Sequence, residues 1–165
     1  MGWRSIAVLS ASIFSGLALG PSPCLAAEYW EVYVGPDRGV FVDTSSIQAM
    51  ATADHKSITQ ITFSLGFPNI SGSKVAYVSN DKEVDCQSRR VRDLSMTAFS
   101  DVGSILLKTK RMGEWQTVSS NPTTDRLMTV VCQGQTPAGE AVRFSEIKDA
   151  RAAYLVKSSM MQLGK

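Results

Sequence analysis

From Tyr29 to Phe99 the chain repeatedly alternates apolar and polar residues with a period of two, the pattern of strands with two unlike faces. Trp30, Val32 and Val34 fall on one side of the first such stretch and Glu31 on the other. Gly35-Pro36-Asp37-Arg38-Gly39 is turn chemistry, and Val40-Phe41-Val42 returns as a short strand, so a hairpin is expected. Asp43-Thr44-Ser45-Ser46-Ile47 is rich in capping side chains and predicts a helical turn or a tight loop. The alternation resumes at Ser57: Ile61, Phe63, Leu65 and Phe67 share one face, while Gln60, Thr62 and Ser64 share the other. One buried and one wet face favours antiparallel pairing. Pro68-Asn69 and Ser71-Gly72-Ser73 mark a loop. Lys74–Ser79 and Val84–Gln87 are the next strands, with Asn80-Asp81-Lys82 as a turn between them. Arg89–Phe99 and Ser104–Thr109 complete the set, and Trp115 is expected to pack on the core.

The period changes at Asn121. Asn121 can cap a helix, Pro122 suits its first position, and Asp125 suits its positive end. Leu127, Val130 and Val131 recur at helical spacing, Cys132 ends the helix, and Gly134 stops it. A linker-like stretch, 133–139, leads to a second helix over Phe144–Met161, with Ser145 as its cap. Ile147, Ala150 and Tyr154 share a face of that helix, which is expected to pack back on the domain. The pattern predicts an α+β fold: mainly antiparallel sheet, one short helix and a C-terminal helix.

The N-terminus alters which residues count. Arg4 precedes an apolar run from Ile6 to Leu19, Gly20-Pro21-Ser22-Pro23 breaks it, and small residues follow at Ala26 and Ala27. This is the order of a secretory signal peptide, assigned to residues 1–27. Its apolar run is shorter than the roughly 20 residues of a spanning helix, and no later run approaches that length, so the exported chain is expected to be soluble. Cys24 follows Pro23, a poor context for lipid attachment, and is assigned to the discarded segment. Cys86 and Cys132 remain, and an even count in an oxidising compartment predicts a disulfide between them. On the chain-entropy model that bridge stabilises the fold by about 4 kcal/mol. With Cys86 on a strand, it would pin the short helix to the sheet.

Charge excludes more than it suggests. With Arg4 removed, 16 basic residues stand against 15 acidic ones, a balance that argues against a nucleic-acid partner. The single His, His55, lies in polar Asp54-His55-Lys56 and reads as a solvated surface residue. Asp43, Asp81, Glu83 and Asp85 could meet as a carboxylate cluster, but no nucleophile, phosphate loop or metal-ligand spacing accompanies them. No catalytic residue, cofactor or metal is expected. Two basic groups stand out: Arg89, Arg90 and Arg92, then Lys108, Lys110 and Arg111. On one open sheet face they would form a candidate patch for an acidic protein or a polysaccharide; scattered, they would protect edges and keep the surface soluble.

The stretch Tyr77–Arg92, with acidic residues before Cys86 and arginines after it, resembles the signature of the surface-adhesin protein E-like domain of bacterial envelope proteins. Trp30, Val42-Asp43 before Ser46-Ile47, Trp115 and Cys132 follow in matching order. The resemblance places the domain at residues 28–134 and leaves 135–165 as a helical extension. It implies an antiparallel sheet with packed helices and a disulfide. It also implies surface adhesion, the founding member being an outer-membrane protein that binds host matrix and serum proteins. The chain departs from that pattern in lacking a lipid-attachment site and in continuing beyond Cys132. The expectation is a non-catalytic bacterial binding protein with a protein or glycan partner, secreted, at the cell surface or in the periplasm. The alternative is a periplasmic protein that maintains the envelope.

Overall fold

The computed structural model describes residues 27–52, 54–110, 112–135 and 142–164. The segment expected to be a signal peptide, up to residue 26 and including Cys24, lies outside the described residues, as do Arg111 and most of the linker before the second helix. The elements are β1 (Tyr29–Val34), β2 (Arg38–Ala49), β3 (His55–Ser64), β4 (Asn69–Ile70), β5 (Ser73–Lys74), β6 (Tyr77–Asp85), β7 (Arg90–Phe99), β8 (Ile105–Lys110), β9 (Gln116–Thr117), α1 (Pro122–Met128), β10 (Arg143–Phe144) and α2 (Ile147–Leu163). The main sheet runs β10-β1-β2-β3-β6-β7-β8, with β9 also paired to β7 and β4-β5 forming a separate small hairpin. Every described pairing is antiparallel. The fold is thus α+β and mainly antiparallel sheet, with the short helix and C-terminal helix that the pattern predicts.

The central strands are buried on both faces, where one wet face was expected. Trp30, Val32, Val40, Val42, Ile58 and Val84 pack against Leu127, Met128, Val130 and Val131 from α1 and the π-helical turn Thr129–Gln133 that extends it. Phe41, Ile61 and Phe63 face the other way and meet Ala150 and Tyr154 of α2. Apolar residues at consecutive positions Val40-Phe41-Val42 record this two-sided burial. Each such side chain contributes about 1.5–3 kcal/mol on burial. Leu65, placed in β3 by the alternation, lies beyond its end and is 44 % exposed.

Two expected breaks are not breaks. Asp43–Ile47 stays within β2, where the ladder is interrupted between Asp43↔Thr59 and Gln48↔Ser57. Side chains replace the missing ladder bonds: Ser45 N–H donates to Asp43 Oδ1 at 3.0 Å, and Thr59 N–H donates to Ser46 Oγ at 2.7 Å. The capping residues therefore build a bulge rather than a helical turn. Asn80-Asp81-Lys82 likewise runs straight through β6, because β3 and β7 supply partners on both sides.

The helix ends follow their chemistry more closely. Asn121 Oδ1 accepts from the N–H groups of Thr123 and Thr124 at 3.0 and 3.1 Å, and Pro122 begins α1. Gly134 closes the π-helical turn at φ 64°, a left-handed conformation that favours glycine. Cys86, one residue beyond β6, is bridged to Cys132 with Cα atoms 5.6 Å apart, so the disulfide does pin the short helix to the sheet. α2 starts later than predicted: Glu146, not Ser145, precedes it and makes no side-chain cap. Phe144 belongs instead to β10 and stacks edge-on against Phe41, with centroids 5.9 Å apart.

Candidate functional site

Register decides which of the predicted residues meet. β6 presents Asp81, Glu83 and Asp85 on one face, opposite Ser95, Arg92 and Arg90 of β7. Lys110 and Lys108 of β8 stand opposite Ser95 and Thr97. Arg90, Arg92, Lys108 and Lys110 therefore share one face of the sheet, beyond the strands that α2 covers. Arg89 does not join them. It sits at φ 52° in the β6–β7 turn, and its Nη2 donates to Asp125 Oδ1 of α1 at 2.5 Å.

The arginines are engaged by the chain's own carboxylates. Arg92 Nε donates to Glu83 Oε2 at 2.6 Å, and Arg90 Nη2 donates to Asp85 Oδ2 at 2.9 Å. Glu83 and Asp85 are 3 % and 5 % exposed. Between them lies His55, the first residue of β3, with Nδ1 2.7 Å from Glu83 Oε1 and Nε2 3.6 Å from Asp85 Oδ2. His55 is therefore a partly buried network member, not the solvated loop residue its polar neighbours suggested. Of the four carboxylates considered, only Glu83 and Asp85 converge on it. Asp81 accepts from Thr59 and Ser95 at 2.9 and 2.6 Å, and Asp43 holds the β2 bulge.

The network sets the charge state of its acids. Burial alone would raise Glu83, but hydrogen bonds from His55 and Arg92, with their charges, hold it below the ordinary carboxyl value. Asp85 is held far below its ordinary range, first by the Ser88 hydroxyl and backbone N–H and then by Arg90. Both shifts favour the charged form, and each carboxylate is matched by an arginine, which is the condition for a tolerable buried charge.

Trp115 covers this network and does not join the apolar core. Its ring centroid is 4.6 Å from Arg92 Cζ, 5.3 Å from Arg90 Cζ and 5.3 Å from the His55 ring. The β7–β9 pairing, Arg90↔Thr117 and Val91↔Gln116, carries the tryptophan there. Lys56 also has a role that its polar neighbours did not signal: its Nζ donates to the carbonyls of Val131 and Cys132 at 2.8 and 3.3 Å, tying β3 to the end of the π-helical turn. Among the described residues no group of three or more His, Cys, Asp or Glu is placed to hold a metal ion. No helix among them is long and apolar enough to cross a membrane.

A helix-flanked antiparallel meander, cross-linked once and carrying Trp115 over Arg90 and Arg92 at one sheet end, defines a domain of the α+β class. The chain belongs to the surface-adhesin protein E family, whose model matches residues 30–133. The matched region spans β1 through the π-helical turn and contains both bridged cysteines, the arginines and Trp115. α2 lies outside it. No curated protein matches the sequence.

Proposed function

We propose that this protein is an exported, non-catalytic binding protein, an adhesin-like module that engages a protein or glycan partner at the bacterial surface. Membership of the surface-adhesin protein E family is the observation that carries this reading. The engaging surface is the open part of the sheet bearing Trp115, Arg90 and Arg92, with Lys108 and Lys110 beside them. Trp and Arg are the residue types in which interface energy concentrates. Here their side chains are already held by one another, so binding orders little that is not ordered beforehand. The buried acids support binding rather than catalysis, because Glu83 and Asp85 are each matched by arginine and covered by Trp115. Export follows from the signal peptide over residues 1–27, cleaved after Ala26 or Ala27.

The test is fractionation of the native host with protease shaving of intact cells, followed by intact mass analysis. Loss of the protein on shaving, with a mature start near Glu28 and two fewer hydrogens for the bridge, is the expected result. A protected periplasmic pool would replace surface adhesion with the envelope-maintenance role.

A further inference from the structure

A second polar surface lies away from the Trp115 network. Ser73 and Lys74 of β5, Ser100, Asp101 and Ser104 of the β7–β8 turn, and Arg151 of α2 line an open cleft of about 580 Å3. That volume is within the range of small-ligand sites. Three separate parts of the chain converge here, and each has a local reason to do so. Asn69↔Lys74 pairing sets the β4–β5 hairpin. In the β7–β8 turn, Ser100 N–H donates to the Ser104 carbonyl at 2.9 Å, Ser104 N–H donates to Ser100 Oγ at 3.1 Å, and Gly103 takes φ 81°. Arg151 is carried by α2, whose Ala150 and Tyr154 are anchored in the core.

The cations of this cleft differ from those beside Trp115. Arg90 and Arg92 are matched by buried carboxylates, whereas among the described residues neither Lys74 nor Arg151 forms an ion pair. Asp101 lines the same cleft and still pairs with neither. Two uncompensated cations of different reach, with three serines, suit a compact anionic group: the cations supply charge-assisted bonds and the hydroxyls complete the coordination of its oxygens. The cleft is open and polar, as a group carried on a longer chain requires.

We infer that the cleft between β5, the β7–β8 turn and α2 is a subsite for an acidic glycan, with Lys74 and Arg151 holding its sulfate or carboxylate. This rests on the binding-protein reading and gives it a second site and a ligand chemistry. A fluorescently labelled heparin hexasaccharide, titrated into the purified protein at moderate salt, is the probe. The K74E/R151E variant is expected to weaken binding roughly tenfold or more, since it removes both charge-assisted contacts and sets two negative charges against the anion. R126E/R143E, with the same change in net charge and with both residues away from the cleft and from the Trp115 surface, should weaken it by less than about threefold. Equal losses in the two variants would overturn the subsite in favour of diffuse attraction. Should K74E/R151E fail to fold by circular dichroism, K74A/R151Q replaces it with the same expectation. Inorganic sulfate in competition separates the anion from its carrier: displacement only at a large excess assigns affinity to the glycan, and displacement at equal concentration reduces the site to one for a free anion. No binding of the hexasaccharide by wild type would end this inference. Surface exposure of the protein, measured by shaving, would then still stand for the adhesin reading by itself.

Discussion

The guanidinium carbon of Arg92 lies 4.6 Å from the ring centroid of Trp115, while Arg92 Nε donates to the buried Glu83 at 2.6 Å. One side chain thus joins a half-buried aromatic to a buried carboxylate. The tryptophan shields the ion pair from water and the ion pair fixes the tryptophan. Stability and the proposed binding surface are linked at this point, and each can be changed separately.

Removing the cover should cost less than removing a charge. Trp115→Ala loses the stack on Arg92 and Arg90, which is worth about 1–2 kcal/mol for partly desolvated cations. Urea unfolding should show that loss, and Trp115→Phe should recover part of it. An unchanged midpoint for Trp115→Ala would mean that the ring contributes nothing to the network and serves binding alone.

Arg92→Ala removes the guanidinium from Glu83, which is 3 % exposed, and leaves it the His55 imidazole. The expected loss is about 3 kcal/mol, since breaking a buried pair strands the remaining charge. Adding Glu83→Gln should restore much of that loss, because the stranded charge is then gone. Additive losses in the double-mutant cycle would rule out direct coupling between the two residues.

The acids also set a pH limit. Glu83 and Asp85 have folded-state pKa values below their ordinary 4.5 and 3.8, so the unfolded chain takes up protons first. Their stabilisation is complete above about pH 5 and is lost as pH falls through the folded values. The urea midpoint should therefore hold between neutral pH and about pH 5 and decline below it. Ser88→Ala removes the hydroxyl that does most to lower Asp85, so the folded and unfolded values lie closer together; the midpoint at neutral pH should fall and the acid decline should become smaller. A decline of unchanged size in this variant would place the acid sensitivity elsewhere.

The strands, the capped helix and the bridge were legible because each depends on local pattern or cysteine parity. Asn121, Pro122 and Gly134 act on their immediate neighbours and did what their chemistry predicts. Misplaced features depended on partners distant in sequence. Asn80-Asp81-Lys82 is turn chemistry taken by itself, yet β3 and β7 each offer a ladder partner and hold it straight. His55 is polar among polar neighbours, and only the pairing His55↔Asp85 reveals its place in the network. One signal was available: Asp81, Glu83 and Asp85 alternate on one strand and Arg90 and Arg92 on the next, which is the pattern of cross-strand ion pairs. The cleft at Lys74 and Arg151 left no such trace, since three unconnected segments build it.

The disulfide should matter most at α1. Cys86→Ser with Cys132→Ser is expected to cost about 4 kcal/mol on the chain-entropy model. Lys56, bonded to the Val131 and Cys132 carbonyls, keeps a second tie between the sheet and this end of the helix. The double variant should therefore remain folded with a lower urea midpoint, and adding Lys56→Met should release α1 from Trp30 and raise hydrogen exchange over Pro122–Met128. Full protection of α1 in the triple variant would show that apolar packing alone seats it.

α2 depends on a different contact. A Cβ added at Gly39 would lie 2.8 Å from Tyr154 Cδ2 and 3.1 Å from Phe41 Cε2. Neither ring can easily yield, because Phe41 is fully buried and Tyr154 is 1 % exposed. Gly39→Ala should then overpack this face by about 1–3 kcal/mol and lift the helix away from the sheet. Hydrogen exchange should rise over Ile147–Leu163 while Pro122–Met128, on the opposite face, stays protected. Equal increases in both helices would mean that the two faces unfold as one unit, and unchanged exchange in α2 would show that the helix is not seated through Tyr154. Because Arg151 rides on the same helix, the expected result also predicts weaker hexasaccharide binding by Gly39→Ala, with no substituted residue lining the cleft.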